Sequence, residues 1–256
     1  MINIYKIMVN QICILINSMY FKVFILSLLV ILSIILSGIT SRNLENGYIL
    51  SVWGNEIVNF ESDFLKLYLS FIFLVIFIIV FPIAFAHNIH NITTIDYANI
   101  YLSRSITRVE LLLGILLAFY FVFLLLTLLF VLIIMIYFWV ITGIKFLNIF
   151  ILFIPFLFLF LSSFTFLSAL IIITNSIGNA TLLYVIYVFV VSGLFSHAGV
   201  SSTLLINILS FIVPPISQTL ENMEREFFIN ILRSLTSLLI SLSVSLFIYQ
   251  RKEFYN

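Results

Sequence analysis

Long uncharged apolar runs recur along the chain and determine its predicted architecture. A helix needs about 20 apolar residues to cross the roughly 30 Å hydrocarbon core of a bilayer. Runs of about this length lie near residues 20–40, 65–86, 111–138, 147–173, 181–199 and 230–249. They are continuous and rich in Leu, Ile and Phe, whereas strands of a membrane β-barrel alternate in segments of about 10 residues. We therefore predict an all-α membrane protein, a single domain over residues 1–256 with six transmembrane helices.

Two shorter segments carry patterns of their own. Over residues 1–19, polar Asn3, Lys6, Asn10 and Asn17 recur at spacings of 3, 4 and 7 among apolar residues, which predicts an amphipathic interfacial helix. The run over 20–40 is too long for the apolar part of a signal peptide, so we expect it to stay as the first span. Residues 204–213 are too few to span and end at Pro214, which predicts a short re-entrant or interfacial segment before the last span.

Composition removes a water-soluble fold from consideration. Hydrophobic residues make up 64% of the chain and charged residues 8%, against about 45–50% and about 25% in soluble domains. The net charge of +1 gives no indication of nucleic acid as a partner. The single cysteine, Cys13, cannot form an internal disulfide, and we interpret it as a buried small apolar side chain and not as a reactive thiol.

The residue types needed for catalysis or ion coupling are missing from the expected places. The centres of the predicted spans hold no Asp, Glu, Lys, Arg or His, so an ion-coupled carrier lacks its usual residues. No glycine is followed by Lys, so no Walker A loop is present. His87 and His90 form an incomplete metal site, and Ser196 and His197 are mere chain neighbours. We predict no catalytic, cofactor-binding or metal-binding residue and no enzyme activity in this chain.

The last span carries a narrow polar face. Ser234, Ser237, Ser241 and Ser245 follow at spacings of 3, 4 and 4. Small hydroxyl residues let membrane helices approach closely and hydrogen-bond. The pattern favours a helix-packing seam, and a face lining a substrate pathway is the alternative.

The connection over residues 87–109, between the second and third spans, contains the pattern most informative about function. Thr93 or Thr94 can cap a short helix, and Asp96 places a negative charge in its first turn, where the helix dipole favours it. Its predicted amphipathic face carries aromatic, aliphatic and basic side chains suited to docking a partner: Tyr97, Ile100, Tyr101 and Arg104.

This stretch resembles the permease subunits of ABC-2 type ABC transporters. In that family a Leu-Leu-Ser stretch precedes Pro-Ile-Ser-Arg and an apolar run that opens with Leu-Leu-Gly-Lys. Here Tyr101-Leu102-Ser103 is followed by Ser105-Ile106-Thr107-Arg108 and by Leu112-Leu113-Gly114-Ile115. Ser105, Thr107 and Ile115 stand where the family usually has Pro, Ser and Lys. The six spans, the interfacial helix, the broken segment before the last span and a basic tail also resemble the family.

The resemblance implies a division of labour. This chain would be the permease of an exporter of a hydrophobic or amphipathic substrate, and a separate ABC ATPase subunit would bind ATP and Mg²⁺, leaving no cofactor here. Asp96, Tyr97, Ile100, Tyr101 and Arg104 would contact the ATPase, with Arg108 anchoring the segment at the headgroups. The resemblance also implies a second permease subunit, identical or different. It implies a multi-pass protein of the plasma membrane, with the 87–109 segment and both termini in the cytoplasm.

Two other functions stay open on the sequence. A non-transporting membrane anchor, such as an immunity or sensory subunit, would need the same spans and no conformational cycle. A membrane enzyme would need an acid, base or metal constellation that we do not find. Neither the substrate nor the choice between homodimer and heterodimer follows from the residues.

Overall fold

The chain is a multi-pass, all-α membrane protein. The computed structural model describes residues 2–44, 47–57, 73–91, 106–142, 153–192, 208–209, 211–216, 219 and 226–251. Within these residues, five helices are long and apolar enough to cross a membrane: Met19–Ser37, Leu74–Asn91, Arg108–Ile141, Ile154–Thr174 and Phe227–Arg251. The predicted span over 181–199 corresponds to a shorter apolar helix, Ile177–Val191, and its remainder from 193 onward lies outside the described residues.

The first two helices meet at a serine. Helix α1, Ile2–Asn17, ends just before Ser18, whose hydroxyl accepts a hydrogen bond of 3.2 Å from the amide of Phe21 and so caps α2, Met19–Ser37. Gly38 ends α2, with its amide donating to the carbonyl of Ile35 at 3.1 Å. The first span therefore stops short of the predicted residue 40.

A small antiparallel sheet follows α2, in the connection between the first two predicted spans. Strands β1, Ile39–Leu44, and β2, Gly47–Val52, pair along their length, and β3, Asn55–Ile57, pairs with β2. Trp53 and Gly54 form the second turn with φ of 49° and 83°, the positive values that a two-residue hairpin turn requires. The indole of Trp53 lies on Gly38, where an added Cβ would be 2.0 Å from Nε1. Only glycine fits at this contact between the sheet and α2.

The other described helices follow the sheet. A π-helical stretch, Phe73–Val80, continues as α3, Phe81–Asn91, and α4 runs over Arg108–Thr142. At 35 residues, α4 is about 52 Å long and exceeds the hydrocarbon core. Then come α5, Ile154–Thr174, α6, Ile177–Ile186, with a π-helical extension Tyr187–Val191, and α7, Phe227–Arg251.

Helix α5 is the most buried of the five long helices, and α3, α4, α6 and α7 all contact it. Phenylalanines fill the space where α3, α4 and α5 meet: the ring of Phe81 lies 5.9 Å from that of Phe123 and 5.4 Å from that of Phe160. Such edge-on contacts are the favourable arrangement for aromatic rings. This cluster joins the helices that carry the candidate site.

Part of the predicted re-entrant segment is described. Helical turns at 208–209 and 211–212 precede Pro214, whose carbonyl accepts a hydrogen bond from the hydroxyl of Tyr187. The proline pair interrupts the helix, as the sequence predicted, since proline lacks an amide donor. This contact attaches the segment to the π-helical extension of α6.

Candidate functional site

Most of the residues predicted to contact an ATPase, namely Asp96, Tyr97, Ile100, Tyr101 and Arg104, lie outside the described residues. Arg108 is described and is the first residue of α4. Helix α3 continues to Asn91, five residues beyond the predicted end of the second span, so His87 and His90 are helical and not part of a loop. The connection between the two helices is thus shorter than the predicted 87–109.

A reciprocal hydrogen-bonded cap starts α4. The amide and hydroxyl of Thr107 donate to Oε2 of Glu110 at 2.9 and 3.1 Å, and the amide of Glu110 donates to the Thr107 hydroxyl at 3.2 Å. This is a capping box, and its Thr-x-x-Glu signature can be read in the sequence. It fixes the first residue of α4 three residues before the predicted span start.

Helix α1 packs along the beginning of α4. Its buried side carries Ile7, Gln11 and Leu15, whereas Lys6 and Asn10 are exposed, as the predicted amphipathic pattern requires. Cys13 is exposed as well, so the prediction that it is buried was wrong, because it lies on the side of α1 away from α4. Close approach is allowed by Gly114 of α4, where an added Cβ would lie 2.7 Å from Cγ2 of Ile7. Near the helix start, the side-chain amide of Asn3 donates to Oε1 of Glu110 at 3.5 Å.

The last turn of α7 lies beside the start of α4. The guanidinium of Arg108 donates to the backbone carbonyl of Gln250, in the last turn of α7, at 3.0 Å. The guanidinium of Arg251 lies over the ring of Phe247, 4.0 Å from its centroid. We call this region, defined by Asn3, Arg108, Glu110 and Gln250, the Arg108 end. The N-terminal helix, the start of α4 and the end of α7 all meet there.

The opposite end of the bundle carries the small sheet. There the hydroxyl of Tyr137, near the end of α4, donates to the carbonyl of Leu36, near the end of α2, at 2.6 Å. At the start of α7, Arg233 pairs with Glu226 at 2.8 Å, and its guanidinium lies 5.7 Å from the ring centroid of Phe211. Arg233 is the one basic residue inside α7 before its last turn, and its charge is paired.

The serine face of α7, Ser234, Ser237, Ser241 and Ser245, is buried, and α5 is the main packing partner of α7. Ser245 donates to the carbonyl of Ser241 at 2.7 Å, which satisfies its hydroxyl within the helix. The hydroxyls of Ser234 and Ser237 have no partner in the described part of the chain. Helix α5 also carries buried serines, among them Ser162 and Ser168, whose hydroxyls donate to the carbonyls of Leu159 and Phe164 within the helix at 2.8 Å each. The serine face thus lies inside the described part of the bundle.

The described residues contain no group of three or more His, Cys, Asp or Glu that could hold a metal ion. The chemistry that the Arg108 end offers is instead that of anchoring: two guanidiniums, one carboxylate and several helix ends.

Comparison with family models, with curated proteins and with solved structures gives no match.

Proposed function

We propose that this chain is the membrane-spanning subunit of an ABC-2 type ABC transporter, an exporter of a hydrophobic or amphipathic substrate. A separate ATPase subunit would supply the energy, and a second permease subunit would complete the pathway. The resemblance of residues 101–115 to that family is the sequence support, together with the several long apolar helices.

The observation that carries the proposal is the anchoring of the segment that would receive the ATPase. The helices on both sides of the 92–107 connection continue into the core. Fully buried side chains lie close to each end: Ile89 in α3, and Leu111 and Leu112 in α4. Where the connection joins α4, two hydrogen bonds stabilise it further. Arg108 donates to a carbonyl of α7, and Glu110 accepts from a side chain of α1. A displacement applied to such a connection would move the core helices and not merely a loop.

Movement of this kind can do work only if the partner binds the two conformations of the permease differently. ATP-dependent closure of an ATPase dimer would supply that difference. The proposed contacts are Tyr97, Ile100, Tyr101 and Arg104, with Asp96 in the first turn of the helix that the sequence predicts for this segment. In this proposal the Arg108 end, and therefore both chain termini, faces the cytoplasm.

The first test establishes the side of the membrane. In a Cys13→Ser background, Tyr97→Cys should react with a membrane-impermeant maleimide in inside-out vesicles and not in intact cells. Trp53→Cys, at the sheet on the opposite end, is the matched control and should show the reverse. Labelling of Tyr97→Cys in intact cells would end the proposal.

The second test addresses coupling. The genes beside that of this chain are searched for a Walker A ATPase, which is then co-expressed with the chain, and the complex is purified. Arg104→Glu combined with Tyr101→Ala should abolish co-purification of the ATPase and ATP-dependent export, while Lys22→Glu, an exposed cation on α2, should leave both intact. Normal export by the double variant would reject these contacts. A stable complex of the wild-type chain with the ATPase that exports nothing would instead favour the non-transporting anchor.

A further inference from the structure

A shallow groove lies at the Arg108 end, between the last turns of α5 and α7. Its volume is about 350 Å³, within the range of about 300–1,000 Å³ for small-molecule sites. Six residues line it: Ile172, Ile173, Asn175, Phe247, Ile248 and Arg251. None of them belongs to the serine face.

The groove combines an apolar floor with a charged rim. Ile173 and Phe247 are 51% and 53% exposed, so apolar surface is open to whatever surrounds the helix ends. The ring of Phe247 lies beneath the guanidinium of Arg251, an arrangement that holds the cation over the groove. Within the described part of the chain, no carboxylate pairs with Arg251.

The position of the groove along the two helices determines which part of the bilayer it faces. Both walls are the final turns of long apolar helices, Ile154–Thr174 and Phe227–Arg251. The stretch from Phe247 to Arg251 rises only about 6 Å, so the groove reaches from the helix end just into the apolar region. That depth suits the glycerol region and first methylenes of a phospholipid. A transmembrane helix from another chain would need a much longer groove.

We propose that this groove binds an anionic glycerophospholipid of the surrounding bilayer, with the phosphate on Arg251 and the upper acyl chain on Ile173 and Phe247. A guanidinium can donate two parallel hydrogen bonds to one phosphate. Basic sites between helices at the membrane surface are suited to anionic headgroups.

The helix dipoles act against an anion here, because α5 and α7 both end at the groove. Each helix C-terminus carries about half a negative charge, and the effect falls off within one turn. The full charge of Arg251 offsets that of α7, and a phosphate on the outer side of the guanidinium lies farther from both ends. The experiment must therefore distinguish lipid binding by Arg251 from a purely structural role, in which Arg251 only neutralises the end of α7.

A bound lipid would hold the ends of α5 and α7 together beside the contact of Arg108 with Gln250. Lipid composition would then influence the rigidity of the Arg108 end. This inference does not depend on the proposed transport function, because it requires only the groove and a bilayer.

The test measures lipid retained by the full chain. Wild type and variants are reconstituted in phosphatidylcholine bilayers with and without phosphatidylglycerol, extracted in mild detergent and analysed by native mass spectrometry. Wild type should retain phosphatidylglycerol in preference to phosphatidylcholine. Arg251→Gln should weaken that retention about fivefold, the factor for one basic residue at a membrane surface. Arg251→Lys, which keeps the charge at the helix end, should retain an intermediate amount.

Lys22→Gln is the matched control, since it removes an exposed cation elsewhere and should change retention little. Equal retention by Arg251→Gln and wild type, or an equal loss in Lys22→Gln, would overturn the proposal. Displacement of the lipid by inorganic phosphate alone would also overturn it, because the site would then recognise a free anion. A lower unfolding temperature of Arg251→Gln without any change in retained lipid would assign Arg251 to the helix end alone.

Discussion

Arg108 donates a hydrogen bond of 3.0 Å to the backbone carbonyl of Gln250, which lies 142 residues later in the chain. The last four carbonyls of a helix have no partner within the helix, and Gln250 is in the final turn of α7. The guanidinium therefore satisfies an acceptor that would otherwise depend on water, and it connects the first residue of α4 to the last turn of α7.

We predict that Arg108→Ala lowers the free energy of unfolding by about 0.5–1.5 kcal/mol, the range for a hydrogen bond accessible to solvent. Lys22→Ala, which removes a cation from the exposed surface of α2, is the control and should stay close to wild type. Chemical denaturation in detergent micelles measures both. Equal stability of the two variants would show that the contact with Gln250 contributes nothing.

Gly114 gives a prediction about the docking of α1. A Cβ there would lie 2.7 and 2.8 Å from Cγ2 and Cβ of Ile7 and 3.2 Å from the carbonyl oxygen of Ile4. Since part of that contact is main chain, α1 must move, and we expect Gly114→Ala to destabilise by about 1–3 kcal/mol.

Gly178→Ala is the matched control for this prediction. At Gly178 an added Cβ would lie 4.0 Å from the Ser176 hydroxyl, which is ordinary contact, and alanine favours helix, so stability should be unchanged or higher. Ile7→Ala should destabilise on its own, because Ile7 is buried. The double variant with Gly114→Ala should cost less than the sum of the two single variants, because it removes Cγ2 of Ile7 from the contact. Losses that simply add would place the strain elsewhere.

The serine face allows packing to be separated from a pathway role. The Ser237 hydroxyl has no partner in the described residues, so Ser237→Ala removes an unsatisfied polar atom and should leave stability unchanged or raise it. Ser237→Leu should destabilise by about 1–3 kcal/mol through overpacking against α5. Ser243→Leu, on the exposed side of α7, should be tolerated. If Ser237→Ala folds normally but abolishes export, the face lines a pathway.

Tyr184 bonds across the bundle to the π-helical stretch before α3. Its hydroxyl is buried and donates to the carbonyl of Ile78 at 2.6 Å. Tyr184→Phe should cost about 1–2 kcal/mol, as for hydrogen bonds between membrane helices. Tyr20→Phe, at a side chain 69% exposed, should cost much less. Amide exchange across residues 73–80 should also rise in Tyr184→Phe alone, and no rise would mean that this bond does not stabilise the π-helical stretch.

Several features of the fold could be predicted from neighbouring residues alone. The apolar runs indicated a membrane protein of helices, and five of them correspond to long helices in the structure. The polar spacing over residues 1–19 predicted the amphipathic α1. The Thr107–Glu110 cap also has a local signature, Thr-x-x-Glu, which marks the start of α4, and Gly54 favours the turn of the sheet.

The sequence by itself determined that this chain belongs in a membrane, because burial of apolar runs depends on composition over about twenty neighbouring residues. Tertiary structure alone decided at which glycine a Cβ would not fit and which serines are buried, since both depend on the helix that packs against each position. Gly114 and Gly178 look alike in sequence, yet only the first lies under another helix. The contact between Arg108 and Gln250 is of the same kind, because no local pattern brings together two residues separated by most of the chain.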